Sequence, residues 1–291
     1  MENLPKVSII TPTYNKKSFF SLAVHNFLSF DYPKDKLEWI ILDDGDESIK
    51  DVLPDDKRIK YYYYDQKAKD ELHKLFMDNY RKRKQEYKNM SKKQKKGNKY
   101  KLNPYHKKSF RGNRIPLGMK RNICIQYATS DYIIHMDDDD FYPPKSIVTR
   151  VKTLMENNIN CIGCSSISCF HINKMISLIY TPDKSFSPAK KISVATLAYT
   201  KNFWEQNRFD NQDVINEGEF FLKKRKCNEL HWKDVIVAFY HSKNDRNMRS
   251  FQGEPNGWHY YPLSDELFTL ITSLDPDGNK EVSELEKNIE K

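Results

Sequence analysis

A chain of 291 residues with 38% hydrophobic and 13% aromatic content can bury a full core, which excludes an intrinsically disordered protein and leaves one or two folded domains. No run of 18 apolar residues occurs, and Met1-Glu-Asn-Leu-Pro lacks the regions of a secretory signal, so a soluble, cytoplasmic protein with its five cysteines reduced is expected. The net charge of +9 belongs to one segment: Arg81 to Arg114 holds fifteen Lys or Arg against the single acid Glu86, a local +14 that leaves −5 for the remainder.

Val7-Ser-Ile-Ile-Thr11-Pro12 reads as a short apolar strand, followed by Thr13-Tyr14-Asn15 and by Phe19, Phe20, Ala23, Phe27 and Leu28 at helical spacing. Leu37 to Leu42 predicts a second buried strand ending in Asp43-Asp44-Gly45, and Arg58 to Tyr64 a third. Strands separated by helix-length intervals predict an α/β protein with a mostly parallel, doubly wound sheet. A basic insertion at about residues 66–114 has almost no apolar periodicity and is expected to be a loop or a charged helix. Nucleic acid or anionic lipid would suit its charge, yet no binding module surrounds it, so it reads as a solvated insertion and nucleic acid is not an expected partner. Gly118 to Ala128 then predicts a helix whose first turn offers Lys120 and Arg121, cations that suit a diphosphate, although many surface helices carry two basic residues.

The apolar run Tyr132 to Met136 predicts a buried strand that ends in Asp137, Asp138, Asp139 and Asp140 before Pro143 and Pro144 stop the ladder. Ligands of open α/β sheets bind at the carboxyl ends of strands, where four uncompensated carboxylates would repel one another. Hard oxygen ligands in this arrangement suit Mg2+ or Mn2+ held together with a diphosphate; the alternative is a solvated acidic turn. Ser146 to Met155 predicts an amphipathic helix, and Lys174 to Tyr180 and Ile192 to Tyr199 predict strands. Cys161, Cys164, Cys169 and His171 permit a zinc reading, but their alternation fits a strand using Cys as a small apolar residue, and no second C-x-x-C closes the site. Asn202 and Glu217 each open a helical stretch, and Val235 to Tyr240 predicts a late strand ending at His241.

Val7-Ser-Ile-Ile-Thr-Pro-Thr-Tyr-Asn15, Ile41-Leu-Asp-Asp-Gly45, Lys120-Arg-Asn122 and His135-Met-Asp-Asp-Asp-Asp-Phe-Tyr-Pro-Pro144 occur in an order that resembles the family-2 nucleotide-sugar glycosyltransferases of the GT-A fold. The resemblance implies a GT-A domain over residues 1–245, with a smaller mixed C-terminal part to its sheet, and a C-terminal extension over 246–291. It implies a UDP-sugar donor, an acceptor hydroxyl and inversion at the anomeric carbon. The nucleoside is expected on Thr11, Pro12, Tyr14 and Asp44, with Asp44 accepting from uracil N3–H. The D-x-D pair falls on Asp137 and Asp139, with Asp139 in direct contact with Mn2+ or Mg2+ and Asp138 nearer the ribose or sugar. His241 is a further metal ligand or a structural strand-end histidine.

Breaking an anomeric C–O bond puts charge on the departing diphosphate, and a carboxylate must take the acceptor proton on the opposite face. Family members place an acid just ahead of an aromatic-rich helical stretch, which here points to Glu217, with Asp213 or Asp210 as alternatives. Asn216 is expected to cap that helix, with Phe220 and Phe221 sharing the buried face of Glu217 and Glu219 turned to solvent. A sugar nucleotidyltransferase would show a glycine-rich loop where Thr11-Pro-Thr-Tyr-Asn15 stands, and a P-loop kinase would need a G-x-x-x-x-G-K-[ST] absent from the sequence. A non-catalytic GT-A-like protein binding an anionic partner through its basic insertion is the alternative from another class. The sugar, the linkage and the acceptor are not legible.

Overall fold

The computed structural model describes residues 4–89, 114–156, 158–211, 217–242 and 264–275; most of the basic segment, together with Asp213 and Asn216, lies outside the described residues. The strands are β1 (Val7–Thr13), β2 (Leu37–Asp43), β3 (Ile59–Tyr63), β4 (Tyr132–His135), β5 (Cys161–Gly163), β6 (Ile167–His171), β7 (Ile176–Tyr180), β8 (Ala198–Thr200), β9 (Asn228–Glu229) and β10 (Val237–Tyr240). Seven of them form one sheet in the order β3-β2-β1-β4-β8-β5-β9, and β10-β6-β7 form a second. From β3 to β4 every pairing is parallel, β8 runs antiparallel to both β4 and β5, and β5 pairs parallel with β9. In the small sheet β10 and β6 are parallel and β6 and β7 antiparallel, so the expected mostly parallel α/β sheet with a smaller mixed part is present.

The register of β1 explains why it is central. All seven residues are buried, and their alternation sends Val7 and Ile9 to one face and Ile10 to the other. On the first face α1 (Phe20–Ser29) and, after α2 (Gln66–Asn89) and α3 (Leu117–Tyr127), α4 (Ser146–Glu156) pack Phe20, Phe27, Ile147 and Val151 against Ile9, Trp39 and Ile41. On the second, Met119 and Ile123 of α3 meet Ile10, Ile40 and Leu42. Each such fully buried side chain is worth ~1.5–3 kcal/mol, and helices on both faces make the sheet doubly wound. The cysteines share in this packing: all five are free thiols, and Cys164 and Cys169 are fully buried in the first core. The C-x-x-C thus packs as small apolar residues, Cys164 in the first core and Cys161 in the second.

Three expectations shift. The strand expected from Lys174 starts at Ile176, because Met175 turns the chain with a positive φ of 54°. The strand expected over 192–199 is a 3-10 turn at Val194–Thr196 and a short β8, since the Thr196 hydroxyl bonds back to the Ser193 carbonyl and accepts from Cys164 N–H. After one helical turn, α5 (Pro188–Lys191), and the helices α6 (Lys201–Gln206) and α7 (Glu217–Leu222), the last described helix is α8 (Asp265–Ser273). Expected outside the domain, α8 packs Leu267 and Ile271 against Phe19, Leu22 and Phe239 in a third core. Fully buried Asp275 closes this junction, accepting from Ser242 N–H at 2.7 Å, Ser242 Oγ at 2.5 Å and Asn173 Nδ2 at 2.8 Å.

The insertion begins as a charged helix, α2, whose first turns are anchored: Lys69 is buried, with Nζ donating to the Asp44 carbonyl at 3.0 Å, and Leu72 and Phe76 pack against the second core. No described helix is long and apolar enough to cross a membrane.

Candidate active site

Because β1, β2 and β4 are parallel, the segments after them, Tyr14-Asn15, Asp44-Gly45 and Met136 to Asp140, meet at one edge of the sheet. Asn15, at φ 52°, clasps the neighbouring loop: its Oδ1 accepts from Asp46 N–H at 2.8 Å and its Nδ2 donates to Asp46 Oδ2 at 2.7 Å. Asp43 is buried and accepts from Gly45 N–H, Ile49 N–H and Tyr61 OH; burial pushes its carboxyl up, partly offset by these donors.

Several residues expected on the nucleoside are committed inside the protein. Thr11 is fully buried, its hydroxyl donating to the Met136 carbonyl at 2.7 Å and accepting from Trp39 Nε1 at 2.8 Å, and Pro12 is buried beside it within β1. Both are sheet residues, because side chains of a strand covered on two faces turn into the core. Asp44 is also fully buried. Its Oδ1 accepts from Lys120 Nζ at 2.7 Å and its Oδ2 from Ile115 N–H at 2.6 Å, while Lys120 donates to the Thr13 carbonyl at 3.0 Å. Asp44 and Lys120 thus form a buried ion pair that joins β1, β2 and α3. Tyr14 remains half-buried at the edge, with the Arg114 guanidinium 4.6 Å and Lys120 Nζ 5.9 Å from its ring centroid.

Lys120, Arg121 and Asn122 point three ways. Arg121, expected on a diphosphate, is fully buried and reaches the acid cluster from behind: one terminal nitrogen lies 3.1 Å from His135 Nδ1, the other 3.2 Å from Asp137 Oδ1 and 3.9 Å from Glu217 Oε1. Burial, and then the charges of Arg121 and Arg150, drive the His135 pKa far down, so its ring is neutral. A guanidinium can only donate, which makes Nδ1 the acceptor and leaves Nε2–H to donate to Tyr199 OH at 2.7 Å. Asn122 holds the 209–211 segment, accepting from Phe209 N–H and Trp204 Nε1 and donating to the Phe209 carbonyl and Asn211 Oδ1.

The four acids after β4 have four environments. Asp137 is part-buried, with one carboxylate oxygen 3.2 Å from a terminal nitrogen of Arg121. Asp138 is buried, its Oδ2 lacks a hydrogen-bond partner among the described residues, and burial together with the Asp139 charge pushes it up to about 7. Asp139 Oδ2 lies 3.0 Å from Lys16 Nζ and 3.2 Å from His241 Nε2. Burial opposes its charge, but the His241 hydrogen bond and the Lys16 charge outweigh that and hold its carboxyl well below the usual range. Asp140 is a latch, with Oδ1 accepting from Phe239 N–H and its carbonyl from Asn26 Nδ2. His241, at the end of β10, is buried under the Phe19 ring at a centroid distance of 4.2 Å.

Glu217 opens α7 and is buried. Phe221 is fully buried and stacks on Phe209 at 4.0 Å, whereas Phe220 is 40% exposed, against expectation. The short helix buries Glu217, Gly218, Phe221 and Leu222, with Gly218 seated on Val194, and this face leaves Phe220 with Glu219 outside. Gly118 at the start of α3 makes the same closure possible, since a Cβ there would collide with the Asp210 carbonyl and stand 3.5 Å from Glu217 Cβ. Gly118→Ala should therefore destabilise the protein by ~1–3 kcal/mol, the usual cost of overpacking. A urea titration checks this, and an unchanged midpoint would show that the 209–217 segment gives way freely.

Lys16, Arg114 and His135 carry no signal in the sequence. Lys16 is one of many lysines, Arg114 hides at the end of the basic run, and His135 reads as a strand residue.

The model of glycosyl transferase family 2 matches residues 99–217. An uncharacterized glycosyltransferase of Haemophilus influenzae is 22% identical over 234 residues, 79% of this chain and 69% of that protein. Among solved structures, residues 1–349 of TarS of S. aureus cover 80% of this chain at 14% identity with a TM-score of 0.49, and the same fragment with UDP-GlcNAc covers 91% at 15% identity with a TM-score of 0.49. The mannosyltransferase PcManGT of Pyrobaculum calidifontis, in complex with GDP-Man and Mn2+, covers 80% at 12% identity with a TM-score of 0.48. This chain spans 60%, 64% and 56% of those three solved chains, respectively. In its matched residues 99–217, as in the four motifs that frame its sheet edge, the chain resembles the family-2 glycosyl transferases.

Proposed function

We propose that the protein is a GT-A-fold, metal-dependent, inverting glycosyltransferase that moves a sugar from a UDP-sugar to an acceptor hydroxyl. The observation that carries this reading is the acid cluster after β4, where Asp139 meets His241 and Lys16 and Asp137 meets Arg121, which also lies 3.9 Å from Glu217. The donor set fits a hard divalent cation. Ligands at ~2.1 Å on an octahedral ion lie about 3 Å apart, close to the 3.2 Å between Asp139 Oδ2 and His241 Nε2. Mg2+ and ions like it commonly take one or two protein ligands and leave the rest to phosphates and water. Bound there, Mn2+ or Mg2+ would neutralise charge on a departing diphosphate.

The chain's own residues do the remaining work. Asp139 and His241 would hold the cation, and Lys16, which neutralises Asp139, occupies the place a diphosphate-bound cation would compete for. Asp138, whose buried oxygen has no donor among the described residues, would accept from a ribose or sugar hydroxyl. Tyr14, under Arg114, offers a flat cationic stack for the base, while Asp44, Lys120 and Ile115 shape that end from beneath. Glu217 would take the acceptor proton, with the Arg121 guanidinium 3.9 Å away.

A screen of nucleotide sugars with Mn2+ or Mg2+, reading release of free nucleotide, tests the activity; turnover of a UDP-sugar that chelation abolishes is expected. Asp139→Asn should abolish metal-dependent UDP binding in calorimetry while the fold is retained, because it removes the charged ligand that His241 and Lys16 address. Unchanged affinity would remove Asp139 from the site, and release of nucleotide in the presence of chelator would overturn metal dependence.

A further inference from the structure

Away from the active-site edge, Cys161 at the start of β5 and Cys227 just before β9 bring their sulfurs to 3.5 Å. The strands pair parallel with Ile162 opposite Asn228, so the two cysteines are neighbours across adjacent strands. Such strands lie ~4.8 Å apart, within the ~4.4–6.8 Å Cα separation that a disulfide spans. The pair is reachable: Cys227 is partly exposed, and Asn160, Arg225, Lys226 and Asn228, which flank the two cysteines in sequence, line a cleft of about 420 Å³. The other three thiols, Cys124, Cys164 and Cys169, are all buried.

The segment next to Cys227 also holds α7. Arg225 donates to the carbonyls of Phe221, Asn207 and Phe203, and its guanidinium lies 3.6 Å and 4.7 Å from the centroids of Phe203 and Phe221. This one side chain ties the end of α7 to α6, and α7 begins at Glu217.

We propose that Cys161 and Cys227 form a thiol pair that a hydroperoxide converts into an intrachain disulfide, fastening the 225–227 segment and, through Arg225, α7. In the first step the Cys227 thiolate attacks the peroxide, the O–O bond breaks, and the departing oxygen takes up a proton, leaving a sulfenic acid on Cys227. In the second, Cys161 attacks that sulfur and the S–O bond breaks, with water leaving. Two thiols give up two electrons and two protons, and the peroxide is reduced to an alcohol, or water, plus water. The order follows from burial: it pushes the Cys161 thiol far up, so first attack falls to Cys227 and Cys161 resolves it at short range. The crosslink needs nothing from the glycosyl-transfer reading; only its consequence for Glu217 rests on that.

The test is to treat the full reduced chain with hydrogen peroxide, alkylate the remaining thiols and map peptides by mass spectrometry. A 161–227 crosslink is expected, with two of five thiols lost and both restored by a thiol reductant. In Cys227→Ser, Cys161 should stay alkylatable after the same treatment. That variant changes a partly exposed position, so it keeps the test sound if Cys161→Ala fails to fold. Sulfinic acid on Cys227 with Cys161 still free, or a crosslink through another pair, would overturn the proposal. Hydrogen exchange of α7 amides should slow on crosslinking, and unchanged exchange in crosslinked protein would overturn the clamp.

Discussion

Replacing Lys120 by Met is expected to lower the unfolding free energy by ~3–5 kcal/mol, because it keeps most of the aliphatic stem and leaves the Asp44 carboxylate buried without its cation. Both side chains are essentially sealed from water, at 1% and 0% exposure, so solvent screening gives no relief. At ~2–4 °C per kcal/mol for a chain of this size, the melting temperature should fall by roughly 6–20 °C. The damage is not confined to one bond. Lys120 also holds the Thr13 carbonyl, and Asp44 also holds Ile115 N–H, so the ends of β1 and β2 and the approach to α3 loosen together. Adding Asp44→Asn removes the stranded charge, and the double variant should lose less than the two single losses added, since directly paired residues are strongly coupled. Thermal and urea unfolding of the three variants decides it; a single-variant loss under ~1 kcal/mol would mean that Asp44 finds another cation or takes up a proton.

The same pair shows where the sequence stops being readable. Short continuous apolar runs marked β1, β2 and β4, because a strand covered on both faces has little choice of residues, and helix-length gaps between them implied the parallel order. The acid run was legible as a site because four carboxylates cannot share a strand end without compensation. What compensates them was not. Lys16, Arg121 and His241 come from three separate stretches, and only the folded sheet sets Lys16 and His241 beside Asp139 and Arg121 beside Asp137. The resemblance places Thr11 and Asp44 on the nucleoside and the helix start offers Lys120 and Arg121 to a diphosphate, but neither says whether a polar group faces the cleft or the backbone behind it. Short elements fared worst: β8 has three residues and is wedged antiparallel between β4 and β5, a position that no local pattern records. The cap on Asp275 was equally hidden, since its partners Asn173 and Ser242 lie far away in sequence.

Glu217→Gln is expected to lower sugar transfer by roughly 10²–10⁴, the contribution of a general base, while UDP and metal binding stay near those of the unchanged protein. The amide has the volume of the acid, so the packing of Glu217 against Gly118 and the seating of Gly218 on Val194 are preserved. Arg121 keeps its bonds to Asp137 and His135 and loses only the more distant 3.9 Å partner, which limits the structural cost. The loss should therefore appear in kcat with KM for the donor little changed, the signature of an interaction made in the transition state alone. Two other acids must be compared. Asp210 presents its carbonyl to Gly118 and is part-buried beside the same helix, and Asp213 lies outside the described residues. Asp210→Asn and Asp213→Asn should each retain most of the transfer activity if Glu217 is the base. Normal transfer by Glu217→Gln, with loss in either Asp variant, would move the base to that residue and leave the buried Glu217 as a counter-ion of Arg121.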